Sequence, residues 1–200
     1  MLHPDAELRF INPLIGHGVV ARRRIPKGTI TWVKDLFDQT FSPIEVGKLT
    51  GIHRELLDKY GFADARGQTV LCWDHARFMN HSCEPTCMSP ALDLEIAIRD
   101  IEPGEELSDD YGTLFLDTPF DCLCGVAGCR RMIWPEDADR YAGDWRRTCT
   151  DAFPAIAEVA QPLWDLLPDP GMVLDVLAGR RTLPLLGAPE YWPALRLAQR

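Results

Sequence analysis

The chain has 200 residues, 46% of them apolar, and a formal net charge of −9. That apolar content is enough for one domain with a core of its own, or one domain with an appendage, and it excludes a chain that is disordered throughout. The surplus of carboxylates argues against a protein that grips nucleic acid by its phosphates, since such binding draws on Lys and Arg, so no direct nucleic acid binding is expected.

Uncharged apolar stretches fall far short of the roughly 18 residues that a membrane span needs, and no membrane partner is expected. Met1 to Phe10 mixes His, Asp, Glu and Arg, unlike a secretory leader. Seven cysteines are an odd number for a disulfide framework, and a Cys-x-Cys pair followed by another Cys suits metal binding in a reducing compartment. A soluble cytoplasmic protein is the expectation. Its acidic charge keeps it in solution and, among partners, favours a basic peptide segment.

The first third alternates short extended segments with glycine and proline. Leu8 to Ile11, Val19 to Arg22 and Thr29 to Val33 read as strands, with turns at Gly16 to Gly18 and Pro26 to Gly28. Between Ser42 and Tyr60 the spacing of Ile44, Val46, Leu49, Ile52, Leu56 and Leu57 predicts one amphipathic helix, started by Ser42 and Pro43 and ended by Gly61. Strands return at Thr69 to Trp73 and Leu94 to Ile98. Between them, Phe78 to Ser89 has neither period, and if buried it must be organised by side-chain hydrogen bonds or metal.

From about Trp134 onward, prolines at 135, 154, 162, 168 and 170 punctuate a few short helices. Trp145, Phe153, Ile156, Val159, Leu163, Leu166 and Leu167 supply their expected buried face, the mark of a packing appendage.

Four segments could carry chemistry. Gly16-His17-Gly18 lets the main chain approach a ligand, although it lacks the third glycine and following helix of a dinucleotide site, and a plain hairpin turn would explain it as well. Asn80-His81-Ser82-Cys83 sets four polar side chains on one aperiodic segment. Gly104-Glu105-Glu106-Leu107 leads to Asp109, Asp110 and Tyr111. Finally Cys122, Cys124 and Cys129 are spaced to wrap one metal, but a structural zinc wants four ligands and spacing alone leaves Cys83 and Cys87 open as the fourth.

In that order, from Gly16 to Trp134, these segments resemble the SET-domain protein lysine methyltransferases with a post-SET zinc motif. The resemblance implies an α+β, β-rich fold: a β-clip of small sheets with a C-terminal pseudoknot at 1–115, a post-SET zinc loop at 116–134 and a helical C-terminal extension at 135–200. It implies transfer of methyl groups from S-adenosylmethionine to a lysine side chain of a protein substrate, a basic lysine-containing segment. Gly16, His17, Gly18, Asn80, His81 and Trp134 would hold the cofactor, Tyr111 would be the catalytic residue, and Cys83 would join Cys122, Cys124 and Cys129 on a structural zinc.

One departure stands out. The family often has an aromatic residue two places before the tyrosine, where it limits how many methyl groups fit, and this chain has Asp109. That difference leaves the degree of methylation open, and it is the one hint of a second class of function, a catalytically inert, zinc-stabilised peptide-binding module of the same fold.

Overall fold

The computed structural model describes residues 1–184 apart from Ala65, Phe115 and Asp117. Residue 115, where the expected first domain ends, and the part of the expected helical extension past residue 184 lie outside the described residues. In chain order the strands are β1 (Ala6–Asn12), β2 (Gly16–Ala21), β3 (Ile30–Val33), β4 (Gln39–Phe41), β5 (Gly61–Ala63), β6 (Thr69–Leu71), β7 (Asn80–His81), β8 (Cys87–Met88), β9 (Leu94–Ala97), β10 (Glu106–Asp109), β11 (Phe120–Asp121) and β12 (Met132–Ile133). The helices are α1 (Pro43–Val46), α2 (Gly51–Tyr60), α3 (Asp137–Ala152) and α4 (Pro170–Leu177). Among the described residues no helix is long and apolar enough to cross a membrane.

The strands form four small sheets, ordered β1-β2-β10-β7, β3-β9-β8, β4-β6-β5 and β11-β12. β10 is the strand that gathers the molecule. It pairs antiparallel with β2 through Leu107 and Val19, and parallel with β7, where Ser108 faces Asn80 and Asp109 faces His81. Residues 28 to 88 apart in sequence therefore meet along one strand, as a threaded C-terminal segment requires.

Two expectations are corrected. Gly16 to Gly18 is not the hairpin turn: it opens β2, and the turn is Pro13 to Ile15. Asn12 makes that turn, its Oδ1 accepting from the amides of Leu14 and Ile15 at 2.9 Å each, the local bond that favours Asn in turns. The single helix from Ser42 to Tyr60 is two helices. Ser42 and Pro43 start α1 as expected, Ser42 closing a capping box with Glu45, but Thr50 is extended and Gly51 has φ +57, and no continuous α-helix passes through that pair. The apolar side chains of this region also face outward, with Ile44, Ile52 and Leu56 exposed and only Leu57 buried.

The C-terminal helices are part of the core. Phe153, Ile156, Leu163, Leu167 and Val173 pack with Ile30, Val33, Leu94 and Ile96 of β3 and β9. Each such side chain stabilises the fold by about 1.5–3 kcal/mol. The seam is also keyed by polar contacts: Gln161 accepts from the amide of Ile30 (2.8 Å) and donates to the carbonyl of Gly28 (2.9 Å). Gly28 stands so close to Ala155 that a Cβ would lie 2.5 Å from its backbone. Leu166, expected inside, is exposed instead, because the short 3₁₀ turn Trp164–Leu166 directs it to solvent.

Candidate active site

The pairing of β10 with β2 and β7 brings three of the four sequence segments together. Asn80 is held between its neighbours, its Nδ2 donating to the carbonyl of His17 (3.1 Å) and to Glu106 Oε1 (2.8 Å). This clasp explains Gly18. A Cβ there would lie 2.2 Å from Glu106 Oε1 and 2.7 Å from Asn80 Nδ2, so only glycine admits both side chains. Gly16 differs: with φ +83 and no atom within 4 Å of where a Cβ would stand, its backbone is open to a ligand.

His81 accepts the amide N–H of Tyr111 at Nδ1 (3.0 Å), which assigns its proton to Nε2, 3.4 Å from Cys83 Sγ. Burial, with the Arg130 charge nearby, lowers its pKa to about 4 against the opposing pull of Asp110, so the ring is neutral at pH 7. Tyr111 continues from β10 in a 3₁₀ turn, Tyr111–Leu114. Its hydroxyl donates to the carbonyl of Met79 at 2.5 Å, and its ring packs against His81 and Phe120 at centroid distances of 5.5 and 5.9 Å. Burial and the nearby Asp109 and Glu95 charges push the Tyr111 hydroxyl far above its ordinary pKa, which keeps it a hydrogen-bond donor rather than a base.

A cavity of about 700 Å³ reaches Tyr111 from the side of Leu57, Thr69 and Met79. None of Gly16, His17, Gly18, Asn80 or His81 lines it. Tyr111 alone belongs to both groups, lining the cavity and bonding His81. Trp134 is 46% exposed and is not part of the cavity wall. Three carboxyl residues line the cavity, Asp58 of α2, Glu95 of β9 and Asp109 of β10. Burial pushes Glu95 up to about 7 and Asp109 well above the carboxylate range, Asp109 further through the adjacent Glu95. The carboxyl of Asp109 is thus turned inward, not toward solvent.

The fourth segment assembles next to the others. Sulfur atoms of Cys83, Cys122, Cys124 and Cys129 all lie within 4.8 Å of one another, with Cys83 and Cys122 at 3.7 Å. Four thiolates about 2.3 Å from one tetrahedral ion would stand about 3.8 Å apart, so the donor set fits such an ion. Main-chain amides back it, Arg130 donating to Cys83 (3.4 Å) and Arg131 to Cys129 (3.3 Å). Cys87 is outside the group, fully buried on β8 beside Thr86.

A polar hub that the sequence did not reveal ties these parts together. Asp110 accepts from Arg130 Nη2 and from the indole N–H of Trp145 (3.0 Å). Arg130 also donates to Asp137 (3.1 Å), reaches Cys83 Sγ through Nε (3.4 Å) and lies over the ring of Tyr141. The only sequence signal was that Asp110 precedes Tyr111 and Arg130 follows Cys129.

The SET domain family profile matches residues 16–112, the stretch from β2 to the residue after Tyr111. Residues 16–112 are a SET domain. The SET domain and its flanks are similar to Histone-lysine N-methyltransferase 2B of Homo sapiens, 29% identical over 133 residues, covering 59% of this chain and 5% of that protein. They are similar also to Histone-lysine N-methyltransferase trithorax of Drosophila virilis, 43% identical over 65 residues, 29% of this chain and 2% of that one. The chain spans 2% to 8% of the length of such curated relatives. In fold it matches the crystal structure of Arabidopsis thaliana SUVH6 in complex with SAM, with a TM-score of 0.51, 22% identity, and coverage of 67% of this chain and 33% of that one.

Proposed function

We propose that this chain transfers methyl groups from S-adenosylmethionine to the side-chain amine of a lysine in a protein substrate. The observation that carries the reading is the position of Tyr111 in a SET domain, lining a cavity while bonded to His81 of the Asn80–His81 segment. The names of the relatives support lysine as acceptor, and the SAM complex of the SUVH6 neighbour supports the methyl donor.

In this reading Gly16, His17, Gly18, Asn80, His81 and Trp134 hold S-adenosylmethionine. The open space at Gly16 and the exposed ring of His17 suit a ligand there, and the ring of Trp134 is exposed as well. The bound donor supplies a methyl group on a positively charged sulfur. Lysine enters by the cavity and attacks once its ammonium has lost a proton and freed the lone pair. Tyr111 orients that amine by contact, and the enclosure supplies the in-line alignment that the displacement requires. The acidic chain favours a basic segment as substrate.

Zinc on Cys83, Cys122, Cys124 and Cys129 is structural in this reading. Four thiolates fill its coordination shell and leave no position for a reactant, so its role is to fasten the segment after β10 beside Tyr111. Seven free thiols suit a reducing compartment such as the cytoplasm.

The test is incubation with radiolabelled S-adenosylmethionine and bulk basic proteins, with Tyr111→Phe as the control. Label on lysine that falls at least about a hundredfold in the variant supports the reading, a loss of about 2.7 kcal/mol in transition-state stabilisation. Label confined to arginine refutes it, and binding of S-adenosylmethionine without any turnover leaves the inert peptide-binding module.

A further inference from the structure

The cavity that Tyr111 lines carries acidic side chains beside basic and apolar ones. Asp109 is only 9% exposed and Glu95 is partly buried, and the two carboxyls hydrogen-bond to each other. Glu95 Oε2 and Asp109 Oδ1 are both enclosed without a partner among the described residues. Cations stand near without pairing: Arg77 lines the same cavity with its guanidinium over the Phe78 ring, and Lys59 lies over the Tyr60 ring.

Two carboxyl groups in contact hold one proton between them, because both cannot ionise side by side in a buried place. The pair then carries one negative charge. One contact between the carboxyls is satisfied by the shared proton, and the remaining oxygens accept hydrogen bonds and have none. A buried acceptor left unmet is costly, so this wall is built to be completed by a donor from outside the chain.

We propose that Glu95 and Asp109 form the amine-recognition site of the cavity, receiving a primary amine through two N–H donors and so stopping the reaction after one methyl. The inference rests on the methyltransferase reading and deepens it. An arriving ammonium sheds its surplus proton to the carboxylate of the pair, the nearest acceptor. The amine lone pair must then point at the methyl carbon, which leaves two N–H groups for the two carboxyls. As the N–C bond forms, the C–S bond breaks and its electron pair goes to sulfur, and nitrogen becomes a secondary ammonium. A second transfer would present a methylamine with one N–H, setting its methyl against a carboxyl oxygen that loses its partner. The loss of one buried hydrogen bond slows that step by about tenfold or more.

Two measurements on the full chain test this. In the first, n-butylammonium and n-butyltrimethylammonium, equal in charge, are titrated calorimetrically without methyl donor. The expected result is at least about tenfold tighter binding of the primary cation, a preference lost in the near-isosteric Asp109→Asn and Glu95→Gln variants with thermal melts showing that both fold. Equal affinity for the two cations overturns the amine site.

In the second, mass spectra of core histones treated with the enzyme and S-adenosylmethionine show monomethyl-lysine from the wild type and added dimethyl-lysine from Asp109→Asn. Dimethyl- or trimethyl-lysine as the main wild-type product overturns the one-methyl limit. No methylation of any protein sinks the methyltransferase reading and the limit with it, while the titration still judges the amine site alone.

Discussion

The indole N–H of Trp145 donates to the carboxylate of Asp110 at 3.0 Å, across 35 residues of sequence. This bond joins α3, from the C-terminal helical part, to the residue that precedes Tyr111. A Cβ on Gly112 would come within 3.0 Å of the same indole, so the turn that carries Tyr111 is packed directly on the helix. The helical part therefore acts on the site through position, by setting where β10 ends and the 3₁₀ turn begins.

Replacing Trp145 by Phe keeps the ring but removes the donor. Asp110, buried to 6% side-chain exposure, would then lack one partner. The expected cost is about 1–3 kcal/mol, read from the midpoint of urea unfolding at unchanged slope. Activity should fall together with stability, since Tyr111 shares the shifted turn.

Arg130 is held more strongly and its loss should cost more. Its side chain, 13% exposed, sits between Asp110 and Asp137, which are 6% and 1% exposed. Arg130→Met leaves two buried carboxylates without their cation, and breaking such a group costs about 3–5 kcal/mol. Arg130→Lys should recover only part, because one ammonium cannot span both carboxylates and reach Cys83 as the guanidinium fork does. Denaturant unfolding of the three proteins, ranked wild type above Lys above Met, checks this.

Legibility in the sequence followed the range of the interactions. Strands β1, β2, β3, β6 and β9 were readable because alternation and turn residues are local, and the Cys122, Cys124 and Cys129 group because its spacing is local. The helix break at Thr50 and Gly51 was missed because periodicity cannot register one left-handed residue. Glu95 escaped notice as an ordinary polar position in a strand. Its meaning depends on Asp109, 14 residues on in another strand, and the Asp110, Arg130 and Trp145 hub is likewise a product of tertiary packing. The isolated Cys72 and Cys149 are buried thiols, as isolated cysteines commonly are.

A strong chelator should lower the melting temperature and loosen the segment from Phe120 to Trp134, which is held in a sheet by the two-residue pairing of β11 with β12. Cys83→Ser should lower bound zinc per chain well below one, whereas Cys87→Ser should leave it unchanged. Atomic emission of the purified variants measures the zinc directly. Equal loss from both would show that Cys83 has no special part in the site.

The Glu95 and Asp109 pair also sets a sign for stability against pH. Burial raises Glu95 to about 7, from an unfolded value near 4.5. Between those values the folded state binds more protons than the unfolded one, so stability must fall as pH rises through this window, and Asp109, also raised, acts in the same sense. Carboxyls with lowered pKa, such as Asp35, Asp64 and Glu105, act in the opposite sense, and theirs is stability lost as pH falls below about 4.5. The pair is faced by Tyr111 and Cys87, both neutral throughout the window, and by Asp110 and the N-terminal ammonium. Asp109→Asn removes the neighbouring acid and its competition for the proton. Urea unfolding at intervals from pH 5 to 7.5 should therefore give a downward slope for the wild type and a shallower one for the variant, and parallel slopes would remove the shared proton from the account.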